Sequence, residues 1–208
     1  MSSDQTVDPQ AVEQTKRQIK GLVDEIATLA KQDIRPEEFY TGFLGRVVEA
    51  LAAVGGAVWI LGEGNQFQLA YQINLRKASL DEPGEHQARH ARLLGQVVQN
   101  GEGLLVPPHS GGGDESEGAN PTELLLVLAP MRSDRRIEGI VEIFQRPTAN
   151  PATRRGYLRF LLQMCELAGE WLKSFKLQQF TDRELLWTQV DEFARAIHET
   201  LDLRQTAY

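Results

Sequence analysis

The sequence has one cysteine, an opening stretch without the pattern of a secretory signal and no apolar run close to the roughly 20 residues that span a membrane, and each scarcity shapes what is expected of it. A single thiol, Cys165, excludes an internal disulfide and a cysteine-built zinc site. It fits a reducing compartment, so a cytoplasmic location is expected. The opening stretch MSSDQTVDPQ carries neither the basic nor the apolar region of a signal peptide, and a soluble chain without membrane contact is expected. Basic residues are outnumbered, 22 Lys and Arg against 29 Asp and Glu, giving a net charge of -7. No basic stripe offsets that charge, so no nucleic-acid partner is expected. The glycine-rich stretch HSGGGDESEGANP, His109 to Pro121, contains no lysine and is not a phosphate loop. Its small polar residues have nothing to bury, and a mobile loop is expected there. His198-Glu199 begins like a helical zinc motif, but Asp202 stands where the second histidine would be.

What is present is ordinary globular composition: 208 residues, 41% hydrophobic and 25% charged, enough for one well-buried core plus extra helices. The core is organised around Glu123 to Pro147, ELLLVLAPMRSDRRIEGIVEIFQRP. From Leu124 to Met131 both alternating faces are apolar, which predicts a strand covered on both sides in mid-sheet. Ser133 and Asp134 supply turn residues, and Ile140 to Gln145 forms the return strand with one charge, Glu142.

Upstream, Asp8-Pro9 reads as a helix start, and Ile19, Leu22, Ile26 and Leu29 form an apolar seam on the helix that follows. Pro36-Glu37-Glu38 opens a second helix with acids where the helix dipole favours them; Phe39, Phe43, Val47 and Leu51 line it, and Gly55-Gly56 is expected to end it. A hairpin follows, Ala57 to Leu61 and then Phe67, Leu69, Tyr71 and Ile73 in alternation with polar residues, giving the second strand one wet face. A short helix from about His86 to Gln99 presents Leu93, Leu94, Val97 and Val98 and is capped at Asn100-Gly101; Leu104 to Val106 is a small strand. From Pro151 the pattern is helical. Leu158, Leu161, Cys165, Ala168, Leu172 and Phe175 make one seam and Leu186, Val190, Phe193, Ile197 and Leu201 another. Thr181 to Glu184 reads as a capping box that starts a second helix, with a continuous bent helix as the alternative.

An apolar strand ending in Ala129-Pro130-Met131, a polar turn, Gly139-Ile140-Val141-Glu142-Ile143 and a long helix together resemble the closing half of a GAF domain, a small-molecule sensing and dimerising module of signalling proteins. With the preceding elements the resemblance runs from Pro36 to Phe180. It implies an α+β fold: a central antiparallel sheet with helices on one face, a loop and short-helix cover over the other from about Arg76 to Pro121, and long terminal helices. The expected division is an N-terminal helix over 1–35, the GAF-like domain over 36–180, and a connecting helix over 181–208. The last of these resembles the opening of a second GAF domain, and the arrangement as a whole resembles cytoplasmic segments of export-associated bacterial proteins.

Ligands of the family sit beneath the cover, which makes Trp59, Tyr71, Met131, Glu142 and Phe144 candidate lining residues. Competing readings weigh against three of them: Trp59 as core, Met131 as filler and Glu142 as a solvated residue on a partly open sheet. Ile19, Leu22, Ile26 and Leu29, with Leu161, Cys165, Leu172 and Phe175, are candidates for a homodimer interface, and packing of the first helix on its own domain is an equal alternative for its seam. His86 and His90 share a helical face at a spacing of four, but no third metal ligand accompanies them and an exposed polar face is expected. No cofactor is implied. A related enzyme family that reduces free methionine sulfoxide uses cysteine pairs, and Cys165 has no partner, so an enzyme is not expected. Two readings remain: a regulatory domain that binds an unidentified small molecule and relays its state through the terminal helices, or a ligand-free dimerisation scaffold.

Overall fold

The computed structural model describes residues 9–62, 64, 66–78, 84–111 and 118–205. Asp8, residues 112–117 of the glycine-rich stretch, and the side chains of Leu186, Val190, Phe193, Ile197 and Leu201 lie outside what is described. The chain divides into two units, Met1–Trp171 and Leu172–Tyr208.

The elements run α1 (Pro9–Leu29), α2 (Pro36–Ala50), β1 (Gly55–Leu61), β2 (Phe67–Ile73), a 3-10 turn (Leu75–Ala78), α3 (Glu85–Asn100), β3 (Leu104–Val106), β4 (Ser110–Gly111), β5 (Ala119–Asn120), β6 (Leu125–Ser133), β7 (Arg136–Gln145) and α4 (Pro151–Gln205). Five strands form one antiparallel sheet in the order β2-β1-β7-β6-β3. β6 and β7 are interior strands and are buried along almost their whole length, as a doubly covered strand requires.

Cross-strand partners share a face, so the register sorts the sheet. Ala57 pairs with Glu142 and Trp59 with Ile140, while Leu126 pairs with Phe144 and Leu128 with Glu142. These residues form one face. Val58, Val141, Ile143, Leu125, Val127, Ala129 and Met131 form the other. The second face is covered by helices. Cys165 of α4 places its Sγ 3.8 Å from the Ala129 carbonyl, and the Leu44 side chain of α2 lies against Gly56. Phe39, Phe43, Leu44 and Val47 of α2 are buried with Ile26 of α1, at roughly 1.5–3 kcal/mol for each such side chain. Burial pushes the Cys165 thiol up, with a smaller contribution from Glu166. It does the same for the Tyr40 hydroxyl, where Glu138 and Glu37 add to the effect.

Three local expectations change. α2 ends before Gly55-Gly56: Ala52 takes the left-handed conformation at φ 46°, and the two glycines open β1, where a side chain at 55 would run into the Ile73 carbonyl. The stretch after His109 does bury residues, because Ala119 and Asn120 form β5 against β4. The Asn120 amide donates to the carbonyls of Pro107 at 2.9 Å and Leu124 at 2.7 Å, and its Oδ1 accepts from the Thr122 backbone N–H at 2.9 Å. A short polar side chain thus satisfies loop backbone that apolar counting does not register. Finally, α4 is one helix with no break at Thr181. The Thr181 hydroxyl donates to the Leu177 carbonyl one turn back at 3.1 Å, a bond made inside a helix rather than at its start.

Candidate functional site

The face of the sheet opposite α2 is covered by α3. Leu93, Leu94 and Val97 of α3 pack with Ala57, Leu126, Leu128, Ile140 and Phe144 in one buried apolar cluster. His90 stands at i to Leu93, Leu94 and Val97, at spacings of three, four and seven, and so shares their helical face. That phase points the imidazole at the sheet instead of at water. Gly101 ends α3 in the left-handed conformation, and Arg132 at the end of β6 donates a hydrogen bond to the Gly101 carbonyl.

Where α3 meets the sheet, His90, Glu142 and Trp59 converge. Glu142 is 0% exposed and His90 2%, and the His90 Nε2 lies 2.8 Å from Glu142 Oε1. The Trp59 indole N–H donates to the second carboxylate oxygen, Oε2, at 2.9 Å. Trp59 and Glu142 are diagonal neighbours on β1 and β7, a separation that long side chains bridge. The indole is half-buried, and its ring lies 5.7 Å from the imidazole at 55°. Flanking Glu142 on the adjacent strands are Ala57 and Leu128, so the carboxylate sits in apolar surroundings and both oxygens are held by side-chain donors. Among the described residues no buried side-chain nitrogen or oxygen lacks a hydrogen-bond partner.

Trp59, Glu142 and Phe144 therefore share the α3 face. Tyr71 and Met131 do not join them. A bulge in the β1–β2 pairing between Val58 and Trp59 puts Tyr71 opposite Val58, and Met131 pairs with Gly139; both lie on the other face. The expectation that Glu142 is solvated is overturned by its complete burial, and the exposed face expected for both histidines holds for His86 alone. Pairing explains both: a carboxylate and an imidazole that satisfy each other can be enclosed where either alone would carry a large desolvation penalty. Among the described residues no three His, Cys, Asp or Glu side chains converge as metal ligands.

The helix seams lie elsewhere. Leu22, Ile26, Leu161 and Cys165 are buried and Ile19 and Leu29 half-buried, while Leu172 and Phe175 belong to the second unit. The Leu29 side chain lies against Gly42 of α2, and Glu25 accepts a hydrogen bond from Arg46 at 2.8 Å, so α1 packs on α2 of the same chain. In the second unit Leu177, Phe180 and Trp187 are 59%, 65% and 74% exposed. No described helix is long and apolar enough to cross a membrane.

No family model matches the sequence, and no curated protein does. Solved structures do match. The nlh2 GAF domain of A. aeolicus in an inactive state superposes with a TM-score of 0.59 at 20% identity, covering 76% of this chain and 98% of that one. The GAF domain of a sensor histidine kinase from Pseudomonas syringae pv. tomato gives 0.56 at 15% identity, covering 85% and 99%. The free methionine-R-sulfoxide reductase of Neisseria meningitidis, solved with its substrate, gives 0.55 at 12% identity, covering 77% and 91%. With its five-stranded antiparallel sheet between the helices and the α3 cover, the chain has the GAF-domain fold.

Proposed function

We propose that this chain is a regulatory GAF domain in which a small molecule bound between the sheet and α3 shifts α3 and thereby biases the helices that pass the state on. The reading rests on the His90–Glu142–Trp59 cluster, a polar point of attachment in an otherwise apolar layer beneath the cover. Moving α3 would break the His90–Glu142 bond, so a ligand that replaces it there would hold the cover in a second position. A path outward exists as well: Arg132 holds the α3 C-cap through its side chain, and its carbonyl lies against Gly169 of α4. That one of the superposing structures comes from a sensor histidine kinase supports a regulatory role.

A binding domain fits better than an enzyme. The methionine sulfoxide reductase shares the fold, but the only cysteine of this sequence is buried between α4 and β6 with its thiol pushed up, away from the reactive thiolate. Native mass spectrometry of the purified chain tests the reading. A retained mass released on denaturation is the expected result, and a chain that binds nothing from a cell extract removes it.

A second reading, a ligand-free dimerisation scaffold, draws on Leu177, Phe180 and Trp187. Their spacings of three and seven put three large exposed apolar side chains on one side of α4, a stripe suited to a second copy of the chain. Sedimentation of the wild type and of a Phe180→Glu, Trp187→Glu variant decides it. A dimer that the double substitution dissociates supports the scaffold, and a monomeric wild type discards it.

A further inference from the structure

We propose that Glu142 is the recognition point for a small organic cation, an ammonium, amidinium or guanidinium head carrying an apolar body, which takes the place of His90 at Oε1. The inference rests on the reading of α3 as a cover over a ligand site and names the chemistry of that ligand.

Stability alone gives no reason for the carboxylate. Ala57, Leu128, Ile140 and Phe144 around it are apolar, and enclosing a carboxylate together with its hydrogen-bond partner is often no more stabilising than well-packed apolar residues of similar volume. A function that needs an acceptor there does give one. Glu142 uses Oε1 for the His90 nitrogen and Oε2 for the Trp59 indole N–H. The Trp59 bond lies within the sheet and survives a movement of α3, whereas the His90 bond is the one that α3 carries away. A ligand that opens the cover must therefore leave Oε1 satisfied, because an unpartnered buried carboxylate is strongly unfavourable. An N–H or O–H donor does this, and a cationic donor also matches the charge; among the described residues no group of three ligand side chains is assembled to hold a metal ion instead.

The route to the carboxylate selects the rest of the molecule. Trp59 is half-buried, and its partner on the edge strand β2, Leu69, is 44% exposed. Indole and leucine together make an apolar shelf at the sheet edge beside the sealed carboxylate. A cation entering along it passes the indole ring, which attracts positive charge, while the apolar body covers Leu69. The net charge of -7 favours the approach of cations over anions. An anionic head would meet Glu142 with like charge and leave Oε1 without a donor.

The test uses phenethylamine and its charge-inverted counterpart 3-phenylpropionate, followed through the tryptophan indole N–H resonances in 1H–15N spectra of the full chain. The sequence has three tryptophans, and Trp59→Phe identifies the signal of interest. Phenethylamine is expected to shift the Trp59 resonance and 3-phenylpropionate to leave it in place. Glu142→Gln, which keeps the shape and removes the charge, should weaken the amine response about tenfold or more. Leu69→Lys, at an exposed position, should weaken it as well by placing a like charge on the shelf, and it keeps the test open should Glu142→Gln fail to fold. Equal responses to both probes, no response to the amine, or an amine response unchanged in the variants would overturn the inference. A neutral or anionic mass retained in native mass spectrometry would overturn it too while leaving the sensor reading standing; no retained mass and no response to either probe would remove both.

Discussion

The indole of Trp171 lies flat on the ring of Phe39, with centroids 3.9 Å apart and planes 2° from parallel. Tyr40 meets the same indole edge-on at 5.8 Å and 74°, and Phe43 stacks on Phe39 at 5.6 Å. The contact joins α4 to α2 over the buried face of the sheet. Trp171→Ala would leave a cavity that the surrounding rings cannot close, and a loss of about 3–5 kcal/mol in chemical denaturation is expected. Trp187 is 74% exposed, and its alanine variant should fall within about 0.5 kcal/mol of wild type.

Gly169 allows α4 to approach the end of β6 so closely that a methyl group added there would overlap the Arg132 carbonyl oxygen. Backbone on both sides of the contact leaves little room to yield. Gly169→Ala is therefore expected to cost about 1–3 kcal/mol in spite of the higher helix propensity of alanine. Gly21 in α1 provides the opposite case, since nothing lies near its missing side chain. Gly21→Ala should stabilise by roughly 0.5–1 kcal/mol, and thermal or urea melts of the two variants should move in opposite directions.

Much of this arrangement was legible in the residues. The doubly apolar run from Leu124 to Met131 located the buried strand β6, and Asn100-Gly101 located the end of α3. The face of Tyr71 was not legible, because one bulged residue reverses the parity of half a strand and leaves no mark in an alternating pattern. The candidate site was half legible. His90 lies in helical phase with Leu93, Leu94 and Val97, and Glu142 lies in strand phase with Ile140 and Phe144. Each polar residue on an apolar face looks anomalous by itself, and weighing each alone favours a solvated one. Considered together they are complementary, and only the packing of α3 over β7 shows that they meet. The helix seams were legible only as stripes: an apolar stripe predicts that something covers it, not whether the cover is the same chain, and for the first helix α2 supplies part of that cover.

Mutual dependence of His90 and Glu142 should appear in a double-mutant cycle. His90→Leu alone leaves a buried carboxylate with one oxygen unpartnered, and a loss of about 3–5 kcal/mol is expected. His90→Leu combined with Glu142→Leu removes the charge along with its partner. The double variant should recover most of that loss, because Trp59 is half-buried and its indole N–H can turn to water. Additive losses measured by urea denaturation would mean that the two residues contribute independently of their contact.

Alkaline pH should destabilise the fold through Cys165 and Tyr40. Both hold their protons more tightly in the folded chain than their ordinary values of 9.0 and 10.0. Burial is the main cause for each, since a thiolate between β6 and α4 or a phenolate among α2 and Trp171 would be charged in apolar surroundings. The sign follows from proton counting. Below pH 9 folded and unfolded chains hold these two protons alike, and their contribution to stability is fully present. Above it the unfolded chain releases them while the folded chain does not, so the unfolded state binds fewer protons and stability falls as pH rises. Each group should steepen the fall by up to about 1.4 kcal/mol per pH unit, starting near pH 9 for Cys165 and near pH 10 for Tyr40. Urea denaturation from pH 7 to 11 measures the slope. Cys165→Ala should remove the part that begins near pH 9 and Tyr40→Phe the part that begins near pH 10; profiles parallel to wild type in both variants would assign the alkaline loss to other groups.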